Sequence, residues 1–334
     1  MNTKTAMMAV IVIQALAIAY LIGLQQGKHT APGTTAGNPS DPESKVMTTL
    51  SPQEADRHYK EGMRLLDERG AVEAETFFQQ HFDRTGHLKM LYGKAWIKFI
   101  RSEPKAAREL AEYILSHHPE ERLSAHCAYL LGYIHINEQR PAEAKRYFSR
   151  AQTIYDQLGI GHNAFKARLG LAGVLLMNRQ YVEADQLLNV AMDSAKNAGI
   201  THFGHFFHLK ARASFGLGNL KAAIDFSERE LAEYQRIRDQ VNIGVALGDV
   251  GFFYGLTGRI RESEQATAEA ERIFEKQRAK DKIIQTRINK IIIGKCRQEG
   301  VAELIEEVRS YIARSNDPYA QEMLEYVQTW DCSG

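Results

Sequence analysis

From Ala125 to Gly159 apolar positions recur with a helical period, stop, and then recur again. Leu130, Leu131 and Ile134 share one face of the first run, and Ala144, Phe148, Ala151, Ile154 and Tyr155 share one face of the second. Spacings of three and four residues predict two amphipathic helices, each with a single buried stripe. The interruption from Asn137 ends at Pro141, which suits the first turn of a helix because its missing N–H is not needed there. Ala144 and Ala151 are small enough to let the two helices approach closely, and Phe148 fills the space between them. A hairpin of this size cannot bury its apolar faces alone, so the pattern predicts copies of itself along the chain.

With Ala144 as the marker, equivalents fall upstream at Ala74 and Ala107 and downstream at Ala184, Ala223, Ser263 and Leu304. Their spacing grows from about 33 to about 40 residues, within the range of stacked two-helix repeats. The central copy resembles the tetratricopeptide repeat family, whose leucine-glycine, alanine, aromatic, alanine pattern stands here as Leu131, Gly132, Ala144, Phe148 and Ala151. Other copies are degenerate: Ala172, Ala211, Gly251 and Ile292 occupy the glycine position. The resemblance covers roughly Pro52 to Trp330. It implies an all-α fold, a right-handed α-α superhelix built as a tetratricopeptide-like solenoid of about seven helical hairpins. It also implies a concave groove lined by the first helix of each hairpin.

Before the repeats, Thr5 to Leu24 runs for about twenty residues without a charge, long enough to cross a bilayer as a helix. This predicts a transmembrane signal anchor over residues 5–24 after a short overhang of residues 1–4. The competing reading is a cleaved secretory signal, since Ala15-Leu16-Ala17 and Ala17-Ile18-Ala19 have the small-x-small form. The short overhang favours a single-pass inner-membrane protein with its repeats in the periplasm. The alternatives are a soluble periplasmic product or repeats on the cytoplasmic side. Residues 25–50, rich in Pro, Gly, Ser and Thr, read as a flexible tether. Ser51-Pro52-Gln53-Glu54 reads as an N-cap, a first-turn proline and a first-turn carboxylate, which places the start of the solenoid at residue 51. The solenoid then runs over 51–330 as one domain, with a tail over 331–334.

Forty-two Lys and Arg against 41 Asp and Glu leave a formal charge of +1, which argues against a nucleic-acid partner. Cys127, Cys296 and Cys332 are odd in number and far apart, with no metal or redox spacing. Cys127 and Cys296, both in helical runs, read as small buried hydrophobes. No phosphate-cradling glycine loop, nucleophile elbow or His-Glu-x-x-His pair is present, and Gly216-Leu217-Gly218-Asn219 reads as a turn between helices. The expectation is therefore a protein that is not an enzyme, needs no cofactor, and works by binding on an extended surface.

Helical-wheel projection of the first helices places His126, Tyr129, Tyr133 and Asn137 in the groove, then Lys166, then His205, His208, Arg212 and Phe215. Asp249, Phe252, Asn289 and Lys290 follow. Tyrosine and arginine are frequent anchors at protein interfaces, so this face predicts a protein or peptide partner. The bland alternative is that several of these side chains pack between hairpins. His202, His205 and His208 share one helical face at steps of three, where imidazoles could converge on a transition metal. The leading function is a membrane-tethered interaction scaffold for proteins or peptides. The alternatives are a peptide- or ligand-responsive sensor, or a metal-binding envelope protein using the histidine face.

Overall fold

The computed structural model describes residues 49–117, 119–279 and 282–332. Among the described residues there are fifteen helices and no strands. They run α1 (Pro52–Arg69), α2 (Ala71–Thr85), α3 (Leu88–Ile100), α4 (Pro104–Ser116), α5 (Glu121–Asn137), α6 (Pro141–Gln157), α7 (Gly161–Met177) and α8 (Tyr181–Asn197). Then come α9 (Gly204–Gly216), α10 (Leu220–Ile237), α11 (Gln240–Leu256), α12 (Ile260–Lys276), α13 (Ile283–Cys296), α14 (Ala302–Ser315) and α15 (Pro318–Thr329). The chain divides into two compact units, one ending at Leu130 and the other beginning at Leu131.

The predicted repeat phase holds. Six of the seven marker positions, from Ala74 to Ser263, fall on the fourth residue of a second helix, and all six are fully buried. Leu304, third in α14, is only partly buried. The large residue one turn later explains the glycines. Phe148 of α6 is fully buried, and a Cβ added at Gly132 of α5 or Gly170 of α7 would lie 2.7 or 2.6 Å from its ring. In the first unit Phe78 of α2 does the same against Gly62 and Gly93. An aromatic ring on the second helix therefore needs a bare backbone on the first helices either side of it.

Local signals place the ends of the helices. Ser51 forms a capping box with Glu54: Glu54 N–H donates to Ser51 Oγ at 3.3 Å, and Ser51 N–H donates to Glu54 Oε2 at 2.9 Å. Pro104, Pro141 and Pro318 each open a helix. Most hairpin turns pass through one left-handed residue, namely Ser102, Gln139, Arg179, Gly218, Gly258 and Gln298. Only two of these are glycine. The other four hold a conformation that L-residues disfavour.

Two expectations are corrected here. No helix among the described residues is long and apolar enough to cross a membrane. The single-pass inner-membrane reading is therefore not carried further, and its proposed span, residues 5–24, lies outside the described residues. Cys296 is not a lone buried hydrophobe but is joined to Cys332 in a disulfide, while Cys127 is buried. Spacing could not reveal this pair, because Cys332 is brought back to the end of α13 only by the turn from α14 into α15.

Candidate functional site

The residues expected in the groove stand on the first helices α5, α7, α9, α11 and α13. In the unit ending at Leu130, His126 stacks on Tyr92 at 5.6 Å, and Tyr129 is buried. In the unit beginning at Leu131, Tyr133 meets Phe148 edge-on at 5.0 Å. Asn137 closes α5, and its Nδ2 is buried without a hydrogen-bond acceptor.

On α7 the stripe His162, Lys166, Leu169, Gly173 holds two more buried nitrogens without a hydrogen-bond partner, His162 Nε2 and the Lys166 Nζ donor. Burial pulls the Lys166 amine down to about 7, and burial together with the Lys166 charge holds His162 at about 4. Gly173 stands in the register position that Tyr133 and Arg212 take in the neighbouring first helices, and a Cβ added there meets nothing within 4 Å. This stretch therefore combines open space with hydrogen-bond donors that want an acceptor.

Because the Lys166 ammonium is buried unpaired, it opposes folding. The Lys166→Met chain should be about 1–3 kcal/mol more stable than the native one, the usual cost of a buried unsatisfied donor. The folded amine titrates near 7 and the unfolded one near 10.5, so the penalty is complete below pH 7 and fades as pH rises towards 10.5. Urea midpoints at pH 6 and pH 10 check this. An advantage for the methionine chain that grows with pH would contradict it.

Further along, α9, α10 and α11 build a buried charged triad. His208 Nδ1 donates to Asp249 Oδ2 at 2.9 Å and lies 3.4 Å from Glu230 Oε2. Glu230 and Asp249 are each 1% exposed. Burial would lower the imidazole, but the two carboxylates hold it up at about 10. Burial pushes Glu230 up to about 7, with the His208 charge pulling the other way. Asp249 Oδ1 accepts further hydrogen bonds from Gln285 Nε2 and, at 3.2 Å, from the Tyr319 hydroxyl.

The predicted histidine face does not converge. His202 Nδ1 lies 3.1 Å from Glu233 Oε2, the His205 ring sits 6.4 Å from that of His208, and burial takes His205 down to about 3. The atoms of metal-ligand type that do converge are those of His208, Glu230 and Asp249, within 4.8 Å of one another. A divalent cation could use that donor set only if His208, held protonated by the two carboxylates, gave up its Nδ1 proton.

Glu230 was missed from sequence. The signal was available, since it stands seven residues after Ala223, where the pattern has Ala151, Ala191 and Ala270.

The remaining expected groove residues are not open. Helix α15 lies against them. The Arg212 guanidinium sits 4.0 Å over the Tyr319 ring, and Phe215 meets Tyr326 at 4.8 Å. Phe252 is fully buried in a cluster with Met323, Leu324 and Val327 of α15. Asn289 and Lys290 are corrected outright. Asn289 is fully buried and donates to Gly248 O at 2.9 Å and Thr267 Oγ1 at 3.2 Å. Lys290 pairs with Glu271 at 2.7 Å. Both face the preceding hairpin, because α11 offers bare backbone at Gly248 and Gly251 where Gln285 and Asn289 come in.

No protein-family model matches the chain, and no curated protein matches it in sequence. Solved structures do match in fold. A Rap protein complexed with competence and sporulation factor aligns at TM-score 0.58 and 12% identity, over 85% of this chain and 87% of that one. Aspartyl phosphate phosphatase F from Bacillus subtilis aligns at 0.56 and 14%, over 84% and 71%. The Rap conjugation gene regulator of plasmid pLS20, in complex with a Phr peptide, aligns at 0.54 and 14%, over 86% and 99%. The fold of this chain is that of the tetratricopeptide-like helical repeat proteins.

Proposed function

We propose that this protein is an interaction module, not an enzyme, and that the inner faces of α5, α7 and α9 hold a segment of a peptide or protein partner. The observation that carries the reading is the buried Lys166 ammonium without an acceptor, on the same face as the open space at Gly173. A carboxylate on the partner would satisfy Lys166 and could take His162 and Asn137 as further donors, and charge-assisted bonds of this kind are the stronger ones. The fold adds support, since one Rap structure that shares it is complexed with competence and sporulation factor and another with a Phr peptide. A preformed row of first helices would bind such a segment with little ordering cost.

The test is a displayed peptide library panned against the full chain. Acidic peptides should be enriched, and their affinity should fall at least tenfold on Lys166→Met and on Gly173→Leu. It should also weaken above pH 7, as Lys166 loses its proton. Lys145→Ala, exposed on α6, should change nothing. Peptides that ignore Lys166→Met and Gly173→Leu but are lost on Lys145→Ala and Glu228→Ala would place binding on the outer face and end the proposal. So would a library yielding no acidic peptide.

A further inference from the structure

We infer that the surface beneath α15 is a binding site for an acidic, tyrosine-bearing amphipathic helix of a partner, and that α15 is its resident occupant. The inference rests on the peptide-binding reading and deepens it by naming the chemistry of the partner.

The first ground is reach. A helix that only closed the last hairpin would touch α13 and α14. Instead Glu325 pairs with Arg179 at 2.5 Å across 146 residues, and Tyr181 donates to Glu322 across 141. The loop entering α15 makes a similar contact, with Asn316 donating to Gln139 across 177 residues. Gln139 and Arg179 are both left-handed turn residues, at the position where other hairpins have glycine. They accept that strained backbone while holding the segment around α15.

The second ground is complementary chemistry. Ala320, Met323, Leu324 and Val327 form a buried stripe at helical spacing, facing Phe215, Phe252, Ile288, Ile291 and Ile292. Beside that stripe, Tyr319 lies under Arg212, and Glu322 and Glu325 meet Tyr181 and Arg179. Lys295 Nζ donates to the carbonyls of Val327, Gln328 and Trp330, at the negative end of the helix. The surface thus reads an apolar stripe flanked by tyrosine and two carboxylates one turn apart.

The third ground is how α15 is held. Arg179 and Glu325 are 56% and 45% exposed, so their pairing selects the occupant more than it stabilises it. Twelve residues are too few to stay helical alone. The Cys296–Cys332 bond keeps the segment at a high effective concentration over its seat. Opening that bond should let a partner helix of the same pattern compete.

A fluorescein-labelled peptide of residues 317–332 carrying Cys332→Ser serves as the probe. It is titrated into the oxidised native chain, the native chain reduced with dithiothreitol, and the full Cys332→Ser, Glu322→Lys, Glu325→Lys chain. Amide exchange across α15 should quicken at least tenfold in the two opened forms. The probe should bind both at least tenfold more tightly than the oxidised chain. The same probe with Glu322→Lys and Glu325→Lys should lose at least tenfold. Equal binding to all three forms, binding to none of them, or α15 exchange unchanged in both opened forms overturns the inference. A library peptide lost on Gly173→Leu but indifferent to the state of α15 would leave the peptide-binding reading standing while this inference falls.

Discussion

The Ala144→Arg chain is expected to unfold at a far lower denaturant concentration than the native one, with a loss on the order of 5 kcal/mol. Ala144 is fully buried on the fourth residue of α6. One turn further on, Phe148 is confined by the bare backbones of Gly132 and Gly170, so the surrounding helices have no space into which to retreat. A long side chain there overpacks the contact, at about 1–3 kcal/mol, and buries a charge without a partner. Lys145→Ala, next door and exposed, should stay within about 0.5 kcal/mol of the native chain. Urea unfolding followed by circular dichroism measures both. An Ala144→Arg midpoint equal to the native one would mean that the repeat phase is wrong.

That phase was readable in the sequence because it depends on residue size at fixed offsets. A small residue four into six of the second helices, with an aromatic one turn later in α2 and α6, constrains the pattern whatever the rest of the repeat does. The capping box at Ser51 was readable for a similar reason, being closed within four residues. The course of α15 was not. Its apolar stripe fits a final capping helix as well as one that reaches back, and nothing local says that Glu322 and Glu325 will meet a turn some 140 residues earlier. The Cys296–Cys332 bond was hidden for the same reason.

The site was legible only in part. Rows of residues on a helical wheel pick out one face of each first helix, and on it Lys166 shares a stripe with Gly173 while Arg212 and Phe215 are met by α15. Two things limited that projection. Asp249 and Lys290 stand two residues before the repeat's glycine position, a row that faces the preceding second helix, so they meet Glu230 and Glu271 instead of a partner. Gly173, which leaves the open space, has no side chain to attract notice on a wheel. The most informative polar signals were departures from the pattern: Glu230 where an alanine belongs, and Lys166 where no acid waits for it.

The charged triad gives the other large expectation. His208→Leu should cost about 3–5 kcal/mol at pH 8, because it leaves Glu230 and Asp249 buried without their cation. The sign with pH follows from the two groups. The imidazole titrates near 10 when folded and near 6.5 when unfolded, so its contribution is whole below pH 6.5 and is lost as pH rises through about 10. At pH 8 and above Glu230, held near 7, is ionised, so the imidazole's own titration sets the trend there. The loss on His208→Leu should therefore be larger at pH 8 than at pH 10. The His208→Leu, Glu230→Ala pair restores the alanine of the repeat and should recover most of the stability, since replacing a buried ion pair by apolar groups is often neutral. Asp249 would still be held by Gln285 and by the Tyr319 hydroxyl. Because Tyr319 belongs to α15, amide exchange in that helix should quicken in the single variant and return towards native in the double. Equal losses at pH 8 and pH 10, with no recovery in the double, would show that His208 contributes by volume and not by charge.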